Sequence, residues 1–238
     1  MRSMPDAIVL CGGAGTRLTS ITAGQPKSMA SIGGRPFLEL LLRQLRRHNF
    51  RRVILAVGFR REVIQQWFGS SWLGMELEYS IEEQPLGTGG ALGNAAALIR
   101  SEFCLVLNGD SYTAADLETF AVRHAESQAE VLLLLTPVDG RNDHGSVLVD
   151  EDGRVLRFDE KTASSEARHL NAGIYMIARW LLAEMPSGVA ISLEKDLLPQ
   201  WLEQGVRVHA SIEPLQCIDI GTPERYLSAE VALANAEF

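Results

Sequence analysis

An α/β domain with a mostly parallel sheet and helices on both faces is the fold this sequence predicts. Three observations predict it. Apolar runs alternate with amphipathic stretches through the first half of the chain. Most of those runs are apolar throughout, as strands covered on both faces are. The first run ends in a glycine-rich loop, "IVLCGGAGTRL" from Ile8 to Leu18, at the strand end where ligands of such sheets sit.

The elements follow in order. Ala7–Cys11, Arg52–Gly58, Met75–Glu82, Phe103–Gly109 and Glu130–Val138 read as strands. Between them, Pro36–Phe50 places Phe37, Leu41 and Leu45 on one stripe and Arg43, Arg46 and Arg47 elsewhere, the pattern of a half-buried helix. Glu62–Phe68, Gly89–Ile99 and Asp116–Ser127 read the same way. The second half changes character. Gly145–Lys161 reads as a hairpin turning at Asp152–Gly153. His169–Ile177 is a strand, and Leu193–Gly205 a helix stopped by its glycine. "VRVHASI", "CIDIG" and a helix over Thr222–Ala236 follow. No repeat or linker interrupts the chain, so one compact domain with two lobes is expected.

Composition narrows the function. The chain has 238 residues, 46% of them hydrophobic, enough for one large core. A net charge of −8 argues against general nucleic-acid binding. No apolar run reaches the length needed to span a bilayer. The N-terminus reads as a first strand rather than a signal peptide, so a cytoplasmic protein is expected. Cys11, Cys104 and Cys217 form no CxxC pair and read as small core residues.

The glycine loop is the first candidate site. Main-chain N–H groups there can cradle phosphate or approach a flat base. It matches neither the Walker pattern nor GxGxxG, because Leu18 stands where the last glycine would be. It is either a tight turn or an anion site. Arg17, and Lys27 in the long connection up to Pro36, favour the anion.

Two aspartates follow apolar strands. Asp110 ends "LVLNGD" and either caps the next segment or holds a hard cation. Asp219 in "CIDIGTPERY" either holds the turn before the last helix or joins it. With Arg17 and Lys27 they suit metal-assisted phosphoryl or nucleotidyl chemistry.

Eight motifs, in order, resemble one family: "IVLCGGAGTRL", Pro26–Lys27, "GRPFLE", "EQPLGTGGAL", "LNGD", "FDEK", "NAGIY" and "DIGTPERY". The sequence is similar to the sugar-1-phosphate nucleotidylyltransferases over nearly its whole length. Within them, "SLEKDLLP" with "LGTGGA" looks most like the D-glycero-α-D-manno-heptose 1-phosphate guanylyltransferases.

The resemblance implies a Rossmann-like nucleotidyltransferase fold. It places a nucleotide-binding lobe over about residues 1–140 and a small β-rich sugar-binding lobe over about 141–238. It also implies Mg²⁺-assisted attack of a sugar 1-phosphate on the α-phosphate of an NTP, with pyrophosphate leaving. By matching position, Leu10, Gly12 and Gly13 would face base and ribose, with Gly87 and Thr88 also on the nucleotide. Gly15, Thr16 and Arg17 would hold the triphosphate, Arg17 on the departing pyrophosphate. Lys27 would meet charge building at the α-phosphate. Asp110 and Asp219 would bind the metal. Gly145, Glu160 and Asn171 would hold sugar hydroxyls and Lys161 the sugar phosphate.

Glu82 stands where relatives often read the base. A carboxylate can accept from guanine N1–H and N2–H₂ together, which favours GTP, though a surface carboxylate at a strand end is the other reading. Gln25 and Ser28 depart from the commoner "LPKPM". His144 either reaches the sugar or is a loop residue. The chain stops soon after "GTPERY", so a single activity is expected, from a monomer or homodimer. The alternatives are mannose 1-phosphate with GTP, N-acetylmuramate 1-phosphate with UTP, or an inactive nucleotide-sugar sensor. The four charged residues Arg17, Lys27, Asp110 and Asp219 weigh against the sensor.

Overall fold

The computed structural model describes residues 4–137, 146–159, 169–186 and 188–233. Its centre is a ten-stranded sheet. Nine main strands are β1 (Asp6–Leu10), β2 (Arg52–Val57), β3 (Met75–Ile81), β4 (Phe103–Asn108), β5 (Val131–Pro137), β6 (Ser146–Val149), β7 (Val155–Asp159), β8 (His169–Ala178) and β9 (Val208–Ile212). The two-residue strand Ser71–Trp72 closes one edge against β3.

The parallel core runs β3–β2–β1–β4. The chain therefore builds outward from β1 to β3, then returns to the other side of β1. That reversal opens a crevice at the carboxyl ends of β1 and β4. Beyond β4 the sheet turns antiparallel. β8 pairs with β4 through Ile174–Ala178 on one edge and with β5 along the other. Its register against β5 slips between Asn171 and Tyr175, a bulge in which Gly173 takes φ 71°. A side chain at Gly173 would fall 2.7 Å from Asn108 Nδ2, so the bulge presses on the end of β4.

Both faces of the sheet are covered, as the unbroken apolar runs require. Along β1, Ala7 and Val9 enter one core and Ile8 the other. The first core takes α1 (Phe37–Arg47), α2 (Arg61–Phe68) and the helix Pro223–Leu233. The second takes α3 (Gly87–Ala95) and the segment Leu193–Trp201. Helix α4 (Leu117–Ser127) is capped by Asp116, whose carboxylate accepts from Thr119 N at 3.0 Å.

Several boundaries differ from expectation. The Leu193–Gly205 helix opens as a π-helical turn over Leu193–Leu197 and becomes α-helical only over Leu198–Glu203. The hairpin between β6 and β7 carries a bulge, and Asp150 Oδ1 accepts from the N–H of Asp152 and of Arg154, which widens the loop beyond Asp152–Gly153. The expected irregular stretch before Pro36 contains short helical turns and a small ladder, Ser31–Ile32 with Arg35–Pro36. The last helix spans Pro223–Leu233 among the described residues.

Candidate active site

A cavity of about 570 Å³ sits in the crevice between β1 and β4. Such a volume suits one drug-sized ligand or cofactor. Its floor is the ends of β1 and β4, held close by the Gly109 N–H donating to Leu10 O at 3.0 Å. A Cβ on Gly109 would fall 2.4 Å from that carbonyl, so only glycine allows the two strands to approach. Leu10, Gly12, Gly13, Lys27, Glu82, Gly87, Thr88 and Asp110 all line the cavity.

The glycine loop forms one wall. No N–H from Gly12 to Gly15 donates to a main-chain carbonyl among the described residues, which leaves these donors to an anion. Gly12 lies against Glu82, since a Cβ there would fall 2.5 Å from Glu82 Oε1. Gly15 adopts φ 58°, and a side chain on it would meet Lys27 Cβ at 2.6 Å. The glycines thus admit Glu82 and Lys27 to the same loop.

Glu82 is buried, not the surface carboxylate of the alternative reading. Its Oε2 accepts from Leu86 N at 3.1 Å. Burial raises its pKa above the ordinary glutamate value, and the Leu86 hydrogen bond only partly opposes this.

Lys27 Nζ lies 2.5 Å from Asp110 Oδ2. Asp219 stands beside them: Ile220 N donates to Asp110 O at 3.0 Å, and Cys217–Asp219 pairs with Ser111–Thr113. Asp219 is buried, outside the cavity lining, and its Oδ1 accepts from Gly221 N at 2.8 Å and from Arg225 Nη1 at 3.2 Å. Each aspartate therefore carries a side-chain cation of this chain.

The structure places the other expected residues as follows. Arg17 is exposed on a 3₁₀ turn over Thr16–Leu18, and neither it, Thr16 nor Gly15 lines the cavity. Thr88 lines it, but its hydroxyl donates to Glu194 Oε2 at 2.7 Å and accepts from Leu193 N at 2.8 Å. Asn171 lies behind the Gly173 bulge, outside the lining. Gly145, Glu160, Lys161 and His144 lie outside the described residues.

Sequence reasoning missed Asn108, Phe59 and Arg61, which also line the cavity. Asn108 Oδ1 is buried with no hydrogen-bond partner among the described residues. It was legible only as the residue before Gly109, at the end of an apolar strand. Arg61, at the start of α2, donates to Glu83 Oε1, in the loop after β3, at 3.0 Å.

A glycine loop at the turning point of a parallel sheet, with a lysine and two aspartates beneath it, defines a nucleotide-handling α/β enzyme. Comparison with known proteins makes the class specific. Residues 6–236 match the Nucleotidyl transferase family. The mannose-1-phosphate guanylyltransferase of Mycobacterium tuberculosis is 36% identical over 97% of this chain, which spans 65% of that relative's length. The D-glycero-alpha-D-manno-heptose 1-phosphate guanylyltransferase of Campylobacter jejuni is 36% identical over 93% of this chain and 96% of its own. The crystal structure of HddC from Yersinia pseudotuberculosis complexed with GMP-PN superposes with a TM-score of 0.83. It is 30% identical, and the match covers 97% of this chain and all of that one. This chain belongs to the nucleotidyl transferase family and is a nucleotidyltransferase. Among the described residues no helix is long and apolar enough to cross a membrane.

Proposed function

We propose that this protein transfers the guanylyl group of GTP to D-glycero-α-D-manno-heptose 1-phosphate, giving the GDP-sugar and pyrophosphate. The observation that carries the reading is the Lys27–Asp110–Asp219 cluster beneath the glycine loop. The full-length match to the Campylobacter jejuni enzyme and the likeness to HddC support the substrates. Glu82, buried against Gly12, supports guanine.

The chemistry is an in-line displacement. An oxygen of the sugar 1-phosphate bonds to the α-phosphorus as the bond from that phosphorus to the β-bridging oxygen breaks. Pyrophosphate leaves with the electron pair, and no covalent enzyme intermediate is needed. The loop at Gly15 and Thr16 binds the phosphates, with Arg17 on the departing pyrophosphate. Lys27 meets the negative charge that gathers at the α-phosphate in the transition state. Leu10, Gly12 and Gly13 lie along base and ribose, and Gly87 and Thr88 form the facing wall. Asn171, which lies outside the cavity lining, is assigned to the sugar hydroxyls by sequence together with Gly145 and Glu160, and Lys161 to the sugar phosphate.

The donor set fits Mg²⁺. Two adjacent carboxylates, Asp110 and Asp219, offer hard oxygen ligands, and Mg²⁺ is usually held by one or two carboxylates plus substrate phosphates. Lys27 on Asp110 marks that carboxylate as a place where positive charge is favoured. When bound, the metal supplies charge neutralisation at the phosphoryl oxygens.

The Mycobacterium tuberculosis relative favours a second reading, mannose 1-phosphate as acceptor on the same machinery. Pyrophosphate release separates the two. The purified protein is incubated with Mg²⁺, each NTP and dTTP, against manno-heptose, mannose and N-acetylmuramate 1-phosphates. Turnover confined to GTP with the heptose phosphate is the expected result. Turnover with another pair keeps the mechanism and overturns the substrate. Nucleotide binding without any turnover overturns the activity in favour of a sensor.

A further inference from the structure

Glu194 lies at the junction of the sugar and nucleotide sides, on the π-helical turn Leu193–Leu197. Its Oε1 accepts from the Tyr175 hydroxyl at 3.1 Å. Its Oε2 accepts from Thr88 at 2.7 Å and from Ser192 at 3.1 Å. Tyr175 has no exposed surface, and its hydroxyl receives Asn171 Nδ2 at 2.6 Å. Asn171 Oδ1 in turn accepts from Gly173 N at 3.1 Å.

The direction of every bond follows from Glu194. An ionised carboxylate only accepts, so Tyr175 must donate to it. Tyr175 has one proton and can then only accept from Asn171. Asn171 must therefore turn its NH₂ toward Tyr175 and its carbonyl toward Gly173. An asparagine amide reversed about its last bond would place two donors or two acceptors face to face at both ends. Burial, and then the charge of Glu194, push the Tyr175 pKa well above the ordinary tyrosine range, which keeps its proton in place. The same carboxylate takes the Thr88 proton, so Thr88 Oγ1 accepts from Leu193 N at 2.8 Å. Thr88 is the second residue of α3 and lines the cavity.

We propose that Glu194 is the positioning residue of the active site: through Tyr175 it fixes the amide of Asn171 in one orientation toward the sugar hydroxyls, and through Thr88 it fixes the nucleotide wall. One carboxylate thus sets both substrate sites. The remaining N–H and lone pair of Asn171 point in fixed directions, which lets one or two hydrogen bonds discriminate among sugars. The inference rests on the assignment of Asn171 to the sugar made under the proposed function.

Steady-state pyrophosphate release tests it, with GTP and either manno-heptose 1-phosphate or mannose 1-phosphate. The variants are Tyr175→Phe, Glu194→Gln, Asn171→Ala and the double variant Tyr175→Phe/Asn171→Ala. Tyr175→Phe is expected to raise the KM for the sugar 1-phosphate about tenfold, the worth of one hydrogen bond, and to leave the KM for GTP within about twofold. Glu194→Gln raises both KM values. In the Asn171→Ala background, Tyr175→Phe adds nothing further, because its effect passes through Asn171.

Three results overturn the inference: an undiminished Tyr175→Phe effect in the Asn171→Ala background, an effect on GTP alone, or a lowered melting temperature with both KM values unchanged. Tyr175→Phe removes one oxygen and keeps the buried ring, so the test stands even where Glu194→Gln fails to fold. If the wild type turns over neither pair, the proposed function falls and this inference with it. If the wild type turns over and Tyr175→Phe changes nothing, this inference falls alone.

Discussion

The ammonium of Lys27 sits 2.5 Å from the Asp110 carboxylate, joining two residues 83 positions apart at the mouth of the crevice between β1 and β4. The proposed reaction uses the same two groups in different ways: Asp110 would accept a divalent cation, and Lys27 would turn to the α-phosphate. Under that proposal, substrate binding exchanges one cation for another at Asp110.

That exchange gives the first prediction. Lys27→Ala removes the competing cation, so the nucleotide-free protein should bind Mn²⁺ more tightly, read by electron paramagnetic resonance. The same variant should lose about 100-fold in kcat with little change in the KM for GTP, because its charge acts mainly in the transition state. A raised KM at constant kcat would make Lys27 a ground-state contact instead. Asp110→Asn should keep the fold and lose most of the metal-dependent turnover.

Glu82 gives a pH dependence with a definite sign. Guanine N1–H and N2–H₂ are donors, so under the proposed function Glu82 reads the base as the ionised carboxylate. Burial raises the pKa of this group above the usual value. As pH falls from about 8 toward that raised value, the ionised fraction drops and GTP affinity is lost on the acid side. Glu82→Gln should weaken GTP binding about tenfold and flatten the acid limb, since its amide does not titrate. Calorimetric titration of GTP across pH checks this. An unchanged profile in the variant removes Glu82 as base reader.

How much of this was legible depends on the range of each signal. The parallel core was legible because strands covered on both faces must be apolar on both, as Ala7, Ile8 and Val9 are. Gly12, Gly13, Lys27 and Asp110 were legible as a site because each follows a strand or lies in a long loop. Glu194 was not. In "SLEKDLLP" it looks like a solvated helix charge, and its partner Thr88 is 106 positions away. The packing role of the glycines in "GTGGA" was not legible either: a Cβ on Gly90 would fall 2.3 Å from Val189 O. The surroundings of Arg17 were not legible either: the chain turns at Gly15 and leaves Arg17 exposed on the 3₁₀ turn that follows.

Away from the site, Arg52 ties together the amino ends of β1, β2 and β3. It is buried, forms an ion pair with Asp6 Oδ2 at 3.0 Å, donates to Leu98 O at 2.8 Å, and also pairs with Glu78. Asp6 additionally accepts from Arg100 N at 2.6 Å. Arg52→Met leaves the buried Asp6 charge without its partner, and breaking such a pair costs about 3–5 kcal/mol. Urea denaturation should show a loss of that size. Adding Asp6→Asn should restore part of it, because the stranded charge goes. Additive losses in the double variant would mean that the two residues act separately.

Buried His124 makes a pH-dependent contribution to stability. It lies on α4 and is buried, its ring 4.3 Å from that of Phe103 and nearly edge-on at 67°. Its Nε2 is buried with no hydrogen-bond partner among the described residues. Burial pushes its pKa below the ordinary histidine value, and a backbone hydrogen bond at Ala129 opposes this only in part. A proton on the native ring would place an unpaired charge in the core. The unfolded chain has no such penalty and takes up its proton near pH 6.5, as about that value is ordinary for histidine. Below that point the unfolded state binds more protons than the native state, so stability falls as pH drops and is fully present above it. A comparison with a variant isolates the His124 contribution from that of the other ionisable groups. His124→Phe keeps the ring packing and removes the titration. Its urea midpoint should decline less than that of the wild type between about pH 6.5 and 5, with the two proteins differing least in slope above that window. Parallel curves through the whole range would show that His124 takes its proton in the native state without cost.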